Sequence, residues 1–130
     1  MKQVTKNKVE LLYPELSYEL MGVLFDVHNK LGTKYQEKHY QRAIAIKLKS
    51  LNIPYKRECE MKVEFEGDKL GDFYADFVID DKIILETKVV WKIADDEVKQ
   101  VLRYLEALNL RLAIVANFKH TKLEYRRIVN

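Results

Sequence analysis

Two charged residues, Glu86 and Lys88, sit two positions apart inside the apolar run KIILETKVV at 82–90. In a strand of period two, Ile83, Leu85 and Val89 take one side, while Ile84 and Val90 share the other with Glu86 and Lys88. Apolar residues on both sides predict a central, covered strand, where an ion without a partner is costly. Glu86 and Lys88 lie about 7 Å apart along such a strand, so each can partly partner the other. A third charge comes from the segment 73–79. There Phe73, Ala75, Phe77 and Ile79 are expected on one face, and Tyr74, Asp76 and Val78 on the other. A three-residue loop between the two strands sets Asp76 opposite Glu86, about 5 Å away; a two-residue loop moves them one step out of register. Carboxylates that close must share a proton or a cation, and facing hard oxygens suit Mg²⁺ or Mn²⁺.

Glu-x-Lys by itself carries little. It also occurs at Glu60/Lys62, on the polar side of an alternating segment, and at Glu97/Lys99, in the first turn of a predicted helix, where an acid suits the dipole. Only the pair at 86 and 88 stands in an apolar strand that follows an aspartate. A structural ion pair near a sheet edge is the plainer reading of those residues alone. Glu37 precedes Tyr40 by three and Ile44 by seven, which puts it on an apolar helical stripe, not on a polar face. Gln100 and Tyr104 stand one turn apart beside the apolar face of a later helix.

The elements that must position these residues follow from periodicity. Residues 1–15 read as an arm, and 16–130 as a single domain. Ser17 is a plausible N-cap for a helix carrying Leu20, Leu24, Val27 and Leu31, closed by Gly32. A second helix is predicted over 36–51, ended by Asn52-Ile53-Pro54. Alternation over 55–65 predicts a strand with one wet face, followed by a turn at Gly67-Asp68. Strands at 73–79 and 82–90 hinge at Asp80-Asp81. A helix spans 95–108, stopped by Asn109, and strands follow at 112–117 and 123–129. The order is that of a mixed α/β domain.

This arrangement of an Asp and a Glu-x-Lys on neighbouring strands between helices resembles the PD-(D/E)xK nuclease superfamily, and more narrowly its small GxxExxY proteins. The matching stretches are DVHNKLG, EKHY with Glu37 and Tyr40, YADFVID, ILETK, QVLRYL and LAIVANF. Lys34 takes the place of the first glycine of the GxxExxY motif, Ala75 that of the superfamily proline, and Glu97 that of a frequent histidine. The resemblance implies a restriction-endonuclease-like core (α-β-β-β-α-β) with a mixed central sheet flanked by helices. It implies that Glu37, Asp76 and Glu86 bind Mg²⁺ or Mn²⁺, that Lys88 positions the attacking water, and that Gln100 supports the site. The expected activity is metal-dependent hydrolysis of nucleic acid, with DNA the first candidate. The alternative is a catalytically silent module of the same fold that binds nucleic acid or a protein partner.

Composition limits the other classes. A single cysteine, Cys59, excludes an internal disulfide, and no apolar run reaches membrane-spanning length, so a cytoplasmic setting is expected with no membrane partner. A net charge of +3 argues only weakly for an acidic partner, although Lys119, Lys122, Arg126 and Arg127 cluster near the end. His28, His39 and His120 form no evident triad. Trp91 and most tyrosines read as core and rim, with Tyr35 and Tyr125 as candidates to stack on bases. Beyond nucleic acid, the partners to expect are a second copy of the chain, as a homodimer, or an operon-encoded protein.

Overall fold

The computed structural model describes residues 11–130. Most of the expected arm therefore lies outside the described residues; of the remainder, Pro14 and Glu15 already belong to a helix. That helix, α1 (Pro14–Leu31), starts at a proline whose missing N–H costs nothing in the first turn. Ser17 is thus not its cap. It lies inside the helix and donates its hydroxyl to the Leu12 carbonyl at 3.2 Å. Leu20, Val23, Leu24 and Val27 form the buried stripe, and Gly32, at φ 71°, ends the helix by returning its N–H to His28. The second helix, α2 (Glu37–Ser50), buries Tyr40, Ile44, Ala45 and Leu48. The Tyr40 hydroxyl donates to the Gly32 carbonyl at 2.6 Å, which pins the α1–α2 connection.

Five strands make the main sheet: β1 (Tyr55–Met61), β4 (Phe73–Ile79), β5 (Ile83–Lys88), β6 (Leu112–Asn117) and β7 (Glu124–Val129), in the spatial order β1-β4-β5-β6-β7. Between β1 and β4 a small separate hairpin, β2 (Glu64–Phe65) with β3 (Asp68–Lys69), replaces the far end of the strand expected over 55–65. Its turn is Glu66-Gly67, both at positive φ as a tight hairpin requires, one residue earlier than expected. The strand expected over 82–90 is also shorter at both ends. The pair β5–β6 is parallel, joined by the crossover helix α3 (Asp95–Leu108), and every other neighbour pair is antiparallel.

Helices α1 and α2 cover one face of the sheet, packing on Phe77, Ile79, Ile83, Leu85, Leu112 and Ile114. On the other face α3 contributes Val101, Tyr104 and Leu105 against Ile84, Ala113 and Val115. β5 and β6 are covered on both sides, which is why their sequences are almost continuously apolar. No helix of the described residues is long and apolar enough to cross a membrane.

The outer part of the sheet departs from simple alternation. Phe77 and Ile79 pack under α1 and α2, but Phe73 and Ala75 pack on the α3 side, together with Val78. A regular strand cannot put residues 75 and 78 on one face, so the pleat breaks at Asp76. β1 does the same. Tyr55 packs on the α1–α2 side and Arg57 lies over the Phe77 ring, 5.0 Å from its centroid, whereas Cys59 and Met61 pack on the α3 side. The register runs Arg57↔Phe77 and then Cys59↔Ala75, so no residue is inserted, and both strands turn over at the same level. Glu58, the residue between, adopts φ 48°, a left-handed conformation in mid-strand.

That conformation costs an L-residue about 1–2 kcal/mol, and more for a β-branched one. Glu58 is exposed, so a substitution there acts mainly through the backbone. Glu58→Gly is expected to leave stability unchanged or raise it by up to about 1 kcal/mol, while Glu58→Val lowers it by about 2 kcal/mol. Urea unfolding measures both; equal stability of the two variants would mean that β1 runs straight through.

Candidate active site

The pleat break defines the site. Pairing between β4 and β5 runs Ile79↔Ile83, Val78↔Ile84, Phe77↔Leu85 and stops there. The loop is the three-residue Asp80–Lys82, so the next positions facing each other are Asp76 and Glu86. Side chains replace the ladder at this point. Glu86 Oε2 accepts the backbone N–H of Asp76 at 2.7 Å. Asp76 Oδ2 in turn accepts the backbone N–H of Thr87 at 2.8 Å and the Thr87 hydroxyl at 3.0 Å. Each carboxylate thus holds the opposite strand by its amide. The other oxygens, Asp76 Oδ1 and Glu86 Oε1, accept no hydrogen bond from the described residues.

Asp76 is steadied further by a line of donors that sequence reasoning missed. Thr87 Oγ1 accepts from Gln41 Nε2 at 2.8 Å, and Gln41 Oε1 accepts from Arg57 Nη2 at 3.0 Å. The donors all point the same way, from Arg57 on β1 through Gln41 on α2 and Thr87 on β5 to Asp76 on β4. A readable trace existed in the sequence. Gln41 follows Glu37 by four, so it shares that helical face. Thr87 is the polar residue in an apolar strand that lies between the two charges.

Lys88 is not paired with Glu86, as the two-residue spacing suggested. Its Nζ lies 3.6 Å from Glu97 Oε2, both side chains being largely covered. Glu97 stands in the first turn of α3, where its other oxygen accepts the Ala94 N–H at 2.7 Å. Gln100 is half-buried one turn further along α3 and makes no side-chain hydrogen bond with the described residues. The next turn brings Tyr104 to the cluster. Burial, and then the charge of Glu86, pushes its hydroxyl above the usual tyrosine range.

Glu37 reaches the site from the start of α2. Burial raises its carboxyl first, the charge of Asp76 raises it further, and Lys88 opposes both. Glu86 feels the same forces more strongly. It is only 4% exposed. Burial, followed by repulsion from Asp76, pushes its carboxyl up to about 8, against the lowering pull of the Asp76 N–H and of Lys88. Glu37, Asp76, Glu86 and Lys88 are therefore one electrostatic cluster, with Gln100 beside it but not bonded into it.

Among the described residues, no three His, Cys, Asp or Glu side chains stand close enough together to hold a metal ion as they are. The donor chemistry nonetheless fits a hard divalent cation. Two carboxylates face each other with one oxygen each left over, and burial of Glu86, added to by repulsion from Asp76, favours its protonated form.

Of the aromatic side chains, Trp91 departs from expectation. Tyr35 and Tyr125 are half-exposed and engaged edge-on with other rings, Tyr35 with His39 and Tyr40, Tyr125 with Phe25. Trp91 is far more exposed than a core or rim residue.

A mixed five-stranded sheet with helices on both faces, and carboxylates where two of its central strands part, defines a restriction-endonuclease-like α/β protein. Residues 14–128 match the family model of the PD-(D/E)XK nuclease superfamily, and the chain belongs to that superfamily. No curated protein and no solved structure matches it.

The raised carboxyl of Glu86 makes stability depend on pH. The folded protein keeps this proton up to about pH 8, whereas the unfolded chain loses it near the ordinary value of 4.5. Between those values the native state binds more protons, so stability falls as pH rises, by a few kcal/mol in all. In the presence of EDTA, Glu86→Gln is expected to melt at a higher temperature than the wild type at pH 8.5, with the gap closing near pH 5. A gap of the same size at both pH values would show that Glu86 titrates as an ordinary carboxylate.

Proposed function

We propose that the chain is a divalent-metal-dependent nuclease of the GxxExxY type that hydrolyses phosphodiester bonds in nucleic acid, DNA first, in the cytoplasm. The observation that carries this reading is the exchange at the parting of β4 and β5. Asp76 and Glu86 are each fixed by one oxygen to the opposite strand, so the second oxygen of each is aimed by the sheet and not by a flexible side chain. With Glu37 these oxygens would hold Mg²⁺ or Mn²⁺, which acidifies a bound water and draws charge from the phosphate. Glu86 must give up its proton to bind, so affinity for the metal rises with pH. Thr87, braced by Gln41, keeps Asp76 from turning away.

Lys88 lies one pleat beyond Glu86, on the side of the sheet that faces α3. Exchanging Glu97 for substrate, its ammonium would donate to the attacking water and to a phosphate oxygen, stabilising negative charge as it develops. Gln100, free of other hydrogen bonds with the described residues, is available to orient the same water or the substrate. The basic residues Lys119, Lys122, Arg126 and Arg127 supply contacts for the nucleic-acid backbone.

A silent binding module has one observation in its favour, the engagement of Lys88 by Glu97 of its own chain. Incubation with labelled single-stranded and duplex DNA, in Mg²⁺ or Mn²⁺, separates the two readings. Cleavage by the wild type is expected to fall to background in Asp76→Ala and by about 100-fold or more in Lys88→Ala. Cutting that is equal in the wild type and Asp76→Ala would sink the assignment. A Mn²⁺-dependent rise in melting temperature that disappears in Glu86→Ala, without any cleavage, would favour the silent module.

A further inference from the structure

Trp91 is the only tryptophan of the chain, and it is 78% exposed. Leaving a large aromatic surface in water gains the fold nothing. Its loop is nevertheless firmly held. The fully buried Asn117 accepts the Val90 N–H at 3.0 Å and donates to the Val90 carbonyl at 2.8 Å, as a paired strand would. His120 donates Nε2–H to the Trp91 carbonyl at 2.6 Å, and its ring meets the indole edge-on at 5.0 Å. The His120 carbonyl accepts from His28 of α1 at 2.7 Å. The loops that leave β5 and β6 are thereby fastened to each other and to α1, so the backbone that carries the indole is held in place.

A shallow depression of about 450 Å³ beside the indole is lined by Trp91, Lys92, His120, Lys122, Leu123 and Glu124. Lys92, Lys119 and Lys122 are exposed and make no ion pair with the described residues. The one carboxylate lining the depression, Glu124, is engaged by Asn117 Nδ2 at 2.7 Å. Both loops emerge from the end of the sheet that carries Glu86 and Lys88, since Lys88 pairs with Asn117 in register. Trp91 follows Lys88 by three residues, which limits the separation of their Cα atoms to about 11 Å.

We propose that Trp91, with Lys92, Lys119 and Lys122, forms a stacking platform for an unpaired base of a single-stranded nucleic acid. The lysines hold the phosphates on either side of that base. The platform rests on the nuclease reading and adds a preference to it, for substrate that is single-stranded next to the bond being cut. A duplex hides its base faces in its own stack, so it offers the indole nothing except at an end. An exposed aromatic with Lys92 and Lys122 lining the same depression, at the end of the sheet that carries Glu86 and Lys88, matches the chemistry of a base flanked by phosphates.

As the sole tryptophan, Trp91 reports on the platform directly. Titrating the full chain with an oligo-dT of about 12 nucleotides, in EDTA so that nothing is cut, is expected to quench the indole emission saturably. A duplex of the same length is expected to quench it much less. Trp91→Ala should weaken oligo-dT binding, followed by the anisotropy of a labelled oligonucleotide, about ten-fold, with Trp91→Phe in between. Lys92→Ala and Lys122→Ala should each flatten the salt dependence. Binding with unchanged emission, wild-type affinity in Trp91→Ala, equal quenching by duplex, or no oligo-dT binding overturns the platform. Metal-dependent cleavage, compared between the wild type and Asp76→Ala, is scored separately. If that cleavage persists, only the platform has failed; if it is absent as well, the nuclease reading has failed with it.

Discussion

The structure depends on one exchange, in which two neighbouring strands stop pairing backbone to backbone and hold each other by their side chains. Asp76 takes the amide of Thr87 and Glu86 takes the amide of Asp76, so the hydrogen bonds the ladder loses are made again by carboxylates. Two anions brought together in this way repel, yet neither can leave without exposing a buried amide. The fold thereby holds a cluster of charge that it would otherwise expel. The cost shows in the proton that Glu86 retains, and it is borne by a core that covers β5 and β6 on both faces.

The parting of the strands needs the outer sheet to cooperate. If β4 alone broke its pleat, β1 would lose its register. Instead Glu58 takes a left-handed conformation opposite Asp76, and both strands turn over together. Strain in the backbone thus sits one strand away from the chemistry, on an exposed edge where it disturbs no packing. The line of donors from Arg57 through Gln41 to Thr87 crosses the same region and ties the outer strand to the carboxylate it helps to position.

Much of this was legible in the sequence, and what was not has physical causes. The central strands and the three helices announced themselves because burial on both faces, or along one stripe, writes a long apolar pattern. The opposition of Asp76 and Glu86 followed once a loop length was chosen, and Asp80–Lys82 supplies it. The face change at Asp76 was invisible, because period-two reading assumes that no residue in the strand leaves the extended region, and glutamate at position 58 gives no hint that it does. Ser17 misled because a good capping residue was weighed without the proline three positions before it. Lys88 was assigned to its nearest neighbour in sequence, whereas its partner, Glu97, depends on where α3 docks. Thr87 and Gln41 needed the packing of α2 on β5, and the exposure of Trp91 depends on loops that no periodicity describes.

The placement of α1 and α2 bears on how the chain reaches this fold. They are complete by Ser50, but the strands they cover, β4, β5 and β6, come only at Phe73–Ile79, Ile83–Lys88 and Leu112–Asn117. During synthesis the stripe of Leu20, Leu24, Tyr40 and Ile44 must therefore wait for β4 and β5 to be made, and its cover is not complete until β6 has followed. Helices form early and the parallel β5–β6 pair, which needs α3 first, forms late. The helical pair is then the part of the nascent chain most exposed to wrong association. The bond from Tyr40 to Gly32, which needs nothing beyond these two helices, lets them close on each other before the sheet exists.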